Sequence, residues 1–252
     1  MSEIPNDPET PAKGEEIDNT LEDAFGVNLR ALKTLKDILL RPAVVFASYA
    51  ANDRVTYTPA IRLFVGLIAV QIATSVIWGG YSGLLLSQWE NMPAQNIQNI
   101  ETLLGGTLNQ VAEHYGNAAP FLHATVVGAF TALSAFLIGA FNKSLSWVAR
   151  LNITFGILTG GTVVGLVLML VAALTDNMAS ISWAPLVIFL AYWLFFVRGA
   201  PGTLANTMTG AYGKGLIFSF VTMIYVVLGG LVMALLAFTY AYLMMNVWGG
   251  GG

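Results

Sequence analysis

Cysteine is absent from all 252 residues. Disulfides, thiolate metal sites and thiol nucleophiles are therefore excluded, and the redox compartment stays undetermined. Charge is the second scarcity: 10% of residues are charged, with 11 basic and 14 acidic groups. A soluble domain of this length carries far more charge on its surface. The charge present is also unevenly placed. Seventeen charged residues lie at or before Arg62, and the following 190 residues hold eight. No dense basic surface exists to displace counterions from nucleic acid, which argues against such a partner.

Apolar residues fill the space that charge leaves. They make up 56% of the chain, and the mean hydropathy is +0.69. This composition predicts an integral membrane protein. A bilayer core of about 30 Å needs roughly 20 apolar helical residues. Five segments meet or approach that length: 59–79, 118–141, 149–174, 181–197 and 216–245. Thr58-Pro59 reads as a helix start, with a cap followed by proline in the first turn. The expected fold is an all-α, five-transmembrane-helix bundle (residues 59–246) preceded by a cytoplasmic amphipathic interfacial helix.

Sidedness follows from the basic residues. Seven of them, from Lys13 to Arg62, precede or open the first span. Lys143 and Arg150 lie between spans two and three, and Arg198 and Lys214 between spans four and five. The stretches 80–117 and 175–180 and the tail after Met245 contain none. With five spans, all 11 fall on one side, which the positive-inside rule makes cytoplasmic. The amino terminus is then inside and the carboxyl terminus outside. Trp78, Trp183 and Trp248 mark the expected outer boundary, and Trp147 and Trp193 the inner one, as an aromatic belt does.

The segment before the first span has two parts. Residues 1–23 carry eight acidic groups and Lys13, with too few apolar residues to fold, and read as a disordered acidic cytoplasmic tail. They do not resemble a cleavable signal peptide, so insertion is expected to rely on the first internal span. Residues 24–58 read as an amphipathic interfacial segment. Leu21, Phe25, Leu29, Leu32, Leu35 and Leu39 recur at helical spacing, and Pro42 then starts a second short apolar piece, AVVFASYAA. Arg30, Lys33, Lys36, Arg41, Arg54 and Arg62 are the expected contacts to anionic lipid headgroups. A docking surface for a cytosolic partner is the alternative use of the same residues.

The stretch LKDILLRPAVVFASYA, followed by a polar linker and five spans, resembles bacterial members of the Yip-type (Ypt-interacting-protein-like) five-span family. Leu40, Pro42 and Phe46 carry the likeness, which extends from about residue 28 to the end. LRPAVVFASYAANDRVTYTPAIRL is also similar to an uncharacterised bacterial inner-membrane family. The aspartate-leucine-tyrosine-glycine-proline motif of eukaryotic Yip proteins is absent. The resemblance implies a non-enzymatic membrane scaffold and supplies no catalytic residues.

Within the spans, ionisable groups that would mark a proton relay are missing from the cores. Arg62 and Arg150 lie at span ends, within reach of the interface. Gln71, near the middle of span one, and Asn152 are the strongest interhelical hydrogen-bonding candidates, followed by Ser134, Thr159, Thr162, Ser219 and Thr222. A solute-lining role for Gln71 is the alternative. Small residues four apart predict close helix packing at Gly128 and Ala132, Gly161 and Gly165, and Gly230 and Ala234, within one subunit or across a homodimer.

Glu113, His114 and His123 are the only group resembling metal ligands, and they lack the compact ligand spacing of a zinc site. Ser134 lies mid-helix on the same span as His123, against a rhomboid-type protease. Residues 80–117 read as an outer helical hairpin hinged at Gly105-Gly106, with Ile97, Ile100, Leu103 and Leu104 on one face. Leu108, Val111 and Tyr115 form the other. Residues 247–252 form a flexible glycine tail. The expected function is a non-enzymatic scaffold or accessory subunit with no cofactor, partnered by another membrane protein or its own copy. A small permease for an uncharged solute is the alternative, ahead of a membrane enzyme.

Overall fold

The computed structural model describes residues 29–53, 55–90, 92–175 and 183–248. Among them the chain is helical, with no strand beyond an isolated bridge between Pro201 and Ala205. In order, the helices are α1 (Leu29–Leu40), α2 (Pro42–Ala50), α3 (Ala60–Ser75), α4 (Gly80–Trp89) and α5 (Ala94–Leu104). They continue as α6 (Leu108–Phe141), α7 (Trp147–Thr175), α8 (Ala184–Gly199) and α9 (Met208–Leu243). Arg54, the expected acidic tail 1–23 and glycines 249–252 lie outside the described residues, as do residues 176–180 and Ile181-Ser182 at the expected start of span four.

Three helices are long and apolar enough to cross a membrane: Leu108–Phe141, Trp147–Ala172 and Met208–Trp248. A fourth crossing arises if α3 and α4, bent by 60° at Val76–Gly79, count as one. Helix α8 has 16 residues, about 24 Å at 1.5 Å per residue, short of a 30 Å core. It therefore falls below the expected fourth span by length alone. Helix α9 leaves Leu216, Phe220, Val227, Leu231 and Leu235 exposed along its length. Such a continuous apolar face suits lipid rather than water. The protein is membrane-embedded.

The long helices exceed the expected spans. Helix α6 begins ten residues before the expected Ala118, because Asn109, Glu113 and His114 lie on one helix with Val111, Ala112 and Tyr115. The expected outer hairpin is thus α5 joined to the first turns of α6. The Gly105 hinge, with φ of 77°, is where the chain turns. A capping box at Thr107 and Gln110 then starts α6, each side chain bonding the other's backbone.

Two cores hold the bundle, one at each end. At the basic end, α1 and α2 pack on α3, α7 and α8 around Ile38, Val45, Phe46, Ile153 and Phe196. The Phe46 ring lies against Gly156 and Gly199, where any β-carbon would collide with it. At the far end, Leu85 and Trp89 of α4 meet Val111, Ala112 and Tyr115 of α6 and Met233 and Ala237 of α9. Helix α2 gives Val45, Phe46 and Tyr49 to the core and leaves Val44 and Ala47 exposed. Helix α1 divides its faces: Thr34, Asp37 and Ile38 turn inward, while Leu29, Leu32, Lys33, Lys36 and Leu40 are exposed.

Candidate functional site

At the basic end, cations tie helix ends together. Arg198 of α8 donates to the carbonyls of Leu39 and Leu40, at 3.0 and 2.6 Å. These are the last carbonyls of α1, which lack helical partners and carry partial negative charge. Lys214 of α9 donates to the Leu204 carbonyl at 2.6 Å and reaches that of Phe141. Arg150 donates to the carbonyls of Leu145 and Lys143. The described basic residues on both sides of these turns thus gather at one end of the bundle.

Asp37 is the buried acid of this cap. Arg41 donates to its Oδ1 at 2.7 Å, and the Tyr57 hydroxyl to its Oδ2 at 2.9 Å. The Arg41 guanidinium holds the carboxyl below the usual carboxylate value, against the opposing effect of burial. Asp53, outside the helices, is held low by hydrogen bonds from the Thr56 side chain and the Val55 and Thr56 backbone N–H groups. The Thr58 N–H donates to Thr34 Oγ1, and the Tyr49 hydroxyl donates to the Thr58 carbonyl. The linker into α3 is thereby pinned from three sides.

The expected cap for α3 is corrected here. Thr58 makes no capping bond, and its buried hydroxyl finds no partner. Asn152 of α7 supplies the acceptor instead, its Oδ1 taking the Ala60 N–H at 3.0 Å. Ser134 of α6 and Thr222 of α9 share a buried hydroxyl bond of 2.8 Å.

The small residues divide. Gly161 faces the Tyr192 ring and Gly165 faces Ile188, so α7 closes on α8 at both. Gly128 and Gly230 have open space where a side chain would go. The α6–α9 approach passes through Gly229 instead, 3.1 Å from its β-carbon position to Val127 Cα. Ala132 packs on the main core, and Ala234 is half-buried. Among the expected headgroup contacts, Arg30 reaches the Val55 carbonyl and Lys33 lies 5.4 Å from the Tyr57 ring centre. Lys36 and Arg62 are exposed. Arg41 borders a groove of about 550 Å³ with Arg198, Trp193 and Tyr212.

A second place of interest lies where α3 bends. Gly79 and Gly80 take φ of 77° and 67°, a left-handed turn that other residues resist. The turn brings Tyr81 back towards Gln71 and Ser75. In α6, Pro120 cannot donate to the preceding turn, and a π-turn follows at His123–Val127. Such turns re-aim side chains and are frequent at functional sites. Gln71, Ser75, Tyr81 and His123 line one cavity of about 310 Å³, walled by Leu168, Met169 and Ile188. The Tyr81 and His123 ring centres are 5.9 Å apart. Ser75 donates to the Ile72 carbonyl. Gln71, Tyr81 and His123 make no side-chain hydrogen bond among the described residues. Gln71 therefore lines a cavity rather than bonding a neighbouring helix. His114 lies apart, against Gly105, Met245 and Trp248. Among the described residues no three histidine or acidic side chains converge as metal ligands.

No family model, curated protein or solved structure matches this chain.

Proposed function

We propose that the protein is a non-enzymatic membrane scaffold or accessory subunit, set in a bacterial inner membrane with its basic end in the cytoplasm. In this reading the chain crosses five times, with α3–α4 as one bent crossing and α8 as a short one. The amino terminus is inside and the carboxyl terminus outside. The observation that carries it is the basic-end cap. Arg198 and Lys214 bond backbone carbonyls of other helices, Arg150 those of the turn before its own helix, and Asp37 is engaged by Arg41 and Tyr57. Groups fixed in this way make a rigid platform, with their proton-transfer capacity committed to structure.

The exposed side of that platform fits an anionic leaflet. Leu29 and Leu32 are exposed beside Lys33 and Lys36, so α1 presents apolar and cationic groups together. An interfacial helix uses both, each basic residue near the surface contributing about 1 kcal/mol. The five-span, amino-terminus-in layout is also what a Yip-like relative would have.

Purification in mild detergent tests the reading. A scaffold copurifies with a membrane-protein partner, or a second copy, at fixed stoichiometry. Solute flux conferred on proteoliposomes by the purified chain alone would instead establish the permease alternative.

A further inference from the structure

We propose that the cavity at the α3–α4 bend is a binding site for a neutral, membrane-soluble molecule carrying carbonyl oxygens on an apolar body. The proposal rests on the α3–α4 crossing proposed above, and not on the scaffold role, which makes no use of this cavity.

Depth comes first. Gln71 lies eleven residues after Ala60, about 17 Å along the helix at 1.5 Å per residue. That places the polar wall past the middle of a 30 Å hydrocarbon core, where a visitor arrives from lipid. At this depth an unpaired polar group is costly. Yet the Gln71 amide, the Tyr81 hydroxyl and the His123 imidazole are left without a hydrogen-bonding partner, all facing one cavity. Single buried hydroxyls on Thr58, Thr154, Thr159 and Ser219 also lack a partner, but here three unpartnered side chains line one cavity, and that convergence points to a ligand.

The lining sets the ligand's chemistry. No Asp, Glu, Lys or Arg borders the cavity. A carboxylate, phosphate or ammonium would therefore sit unpaired at low dielectric, which excludes charged ligands. Gln71, Tyr81 and His123 each offer a hydrogen-bond donor, so acceptor oxygens on a ligand can be held by all three. Carbonyl oxygens supply them without charge. Leu168, Met169 and Ile188 cover the opposite wall and suit a ring or acyl chain. The volume of about 310 Å³ equals that of about ten waters at ~30 Å³ each. It holds one head group, while the lining residues other than Ser75 are only half-buried and leave room for a tail to pass outward.

Two membrane molecules share this chemistry, an acylglycerol and a quinone, and competition separates them. The full chain in nanodiscs is labelled with a diazirine-bearing monoacylglycerol, and the adducts are mapped by mass spectrometry. Labelling should concentrate on peptides containing Gln71–Leu84, His123 and Leu168–Met169. Excess monoolein should compete if the site takes acylglycerols, and 2,3-dimethyl-1,4-naphthoquinone if it takes quinones. Oleate at alkaline pH should not compete. Gln71→Leu combined with Tyr81→Phe removes two donors and should weaken labelling at these peptides at least tenfold, with thermal stability kept. Gly165→Leu supplies a second, independent variant. Its β-carbon meets only Ile188 at 3.6 Å, so the added side chain should fold and occlude the cavity. Labelling spread evenly over lipid-facing helices, or unchanged in both folded variants, would overturn the proposal. So would competition by oleate equal to that by the neutral molecules.

Discussion

Asp37 has a carboxylate buried at the basic end with its stabilising partner, Arg41, reaching in from an exposed position. Because its folded pKa is held below the unfolded value of about 3.9, the stabilisation is complete above that pH and is lost as the pH falls through the folded pKa. Thermal stability in detergent should therefore fall on acidification below about pH 4, with Asp53 contributing in the same direction. Asp37→Asn should flatten part of that acid limb. Arg41→Gln strands a buried carboxylate and should cost about 1–3 kcal/mol, whereas Lys36→Gln on the exposed face should stay within about 0.5 kcal/mol. Phe46→Ala should cost about 3–5 kcal/mol, since it empties the space between Gly156 and Gly199. Leu40, Pro42 and Phe46 stand out in the sequence as a short pattern. The role of Phe46 as a core plug was not legible there, because the glycines that receive it are more than a hundred residues away. Asn152 was legible as a polar residue to be satisfied, but its partner, the Ala60 N–H, was hidden for the same reason.

At the level of the helix pair, glycine spacing misleads by one residue. Gly230 and Ala234 have the expected interval, yet Gly229 faces Val127 and Phe130 while Gly230 faces open space. Spacing alone cannot say which side of an apolar helix meets a neighbour when both sides are apolar. Gly229→Leu should therefore lower the melting temperature through the α6–α9 contact, and Gly230→Leu should leave it near that of the parent. A change of oligomeric state in Gly128→Leu or Gly230→Leu, read by light scattering, would assign those open positions to a seam between copies. Helix α6 carries a related lesson. Its first turns bear Asn109, Glu113, His114 and Asn117 among apolar residues, a mixture that reads as loop. Asn109, Glu113 and Asn117 lie on the exposed side of a helix whose other side, Val111, Ala112 and Tyr115, is buried, with His114 half-buried between them. Gln71 and His123 were each visible as isolated polar residues, but their convergence with Tyr81 depends on the Gly79-Gly80 turn and the π-turn, which no periodicity reveals.

Across the whole molecule, the basic residues and the two-ended core give a polarity to the bundle. Arg198 reaching α1, Lys214 reaching the end of α6 and Asn152 reaching the start of α3 place the inter-helix turns that carry charge at a single end. That arrangement was legible from the charge distribution, because positive residues segregate for insertion before any packing occurs. The crossing number was less so, since α8 is short and α3 is bent. Five crossings put the termini on opposite sides, whereas an even number puts them together. Reporter fusions decide this most directly. A reporter active only in the cytoplasm should be silent when fused after Gly252 and active when placed within residues 199–213. Activity after Gly252, or silence within 199–213, would contradict the orientation and the five crossings on which the account depends.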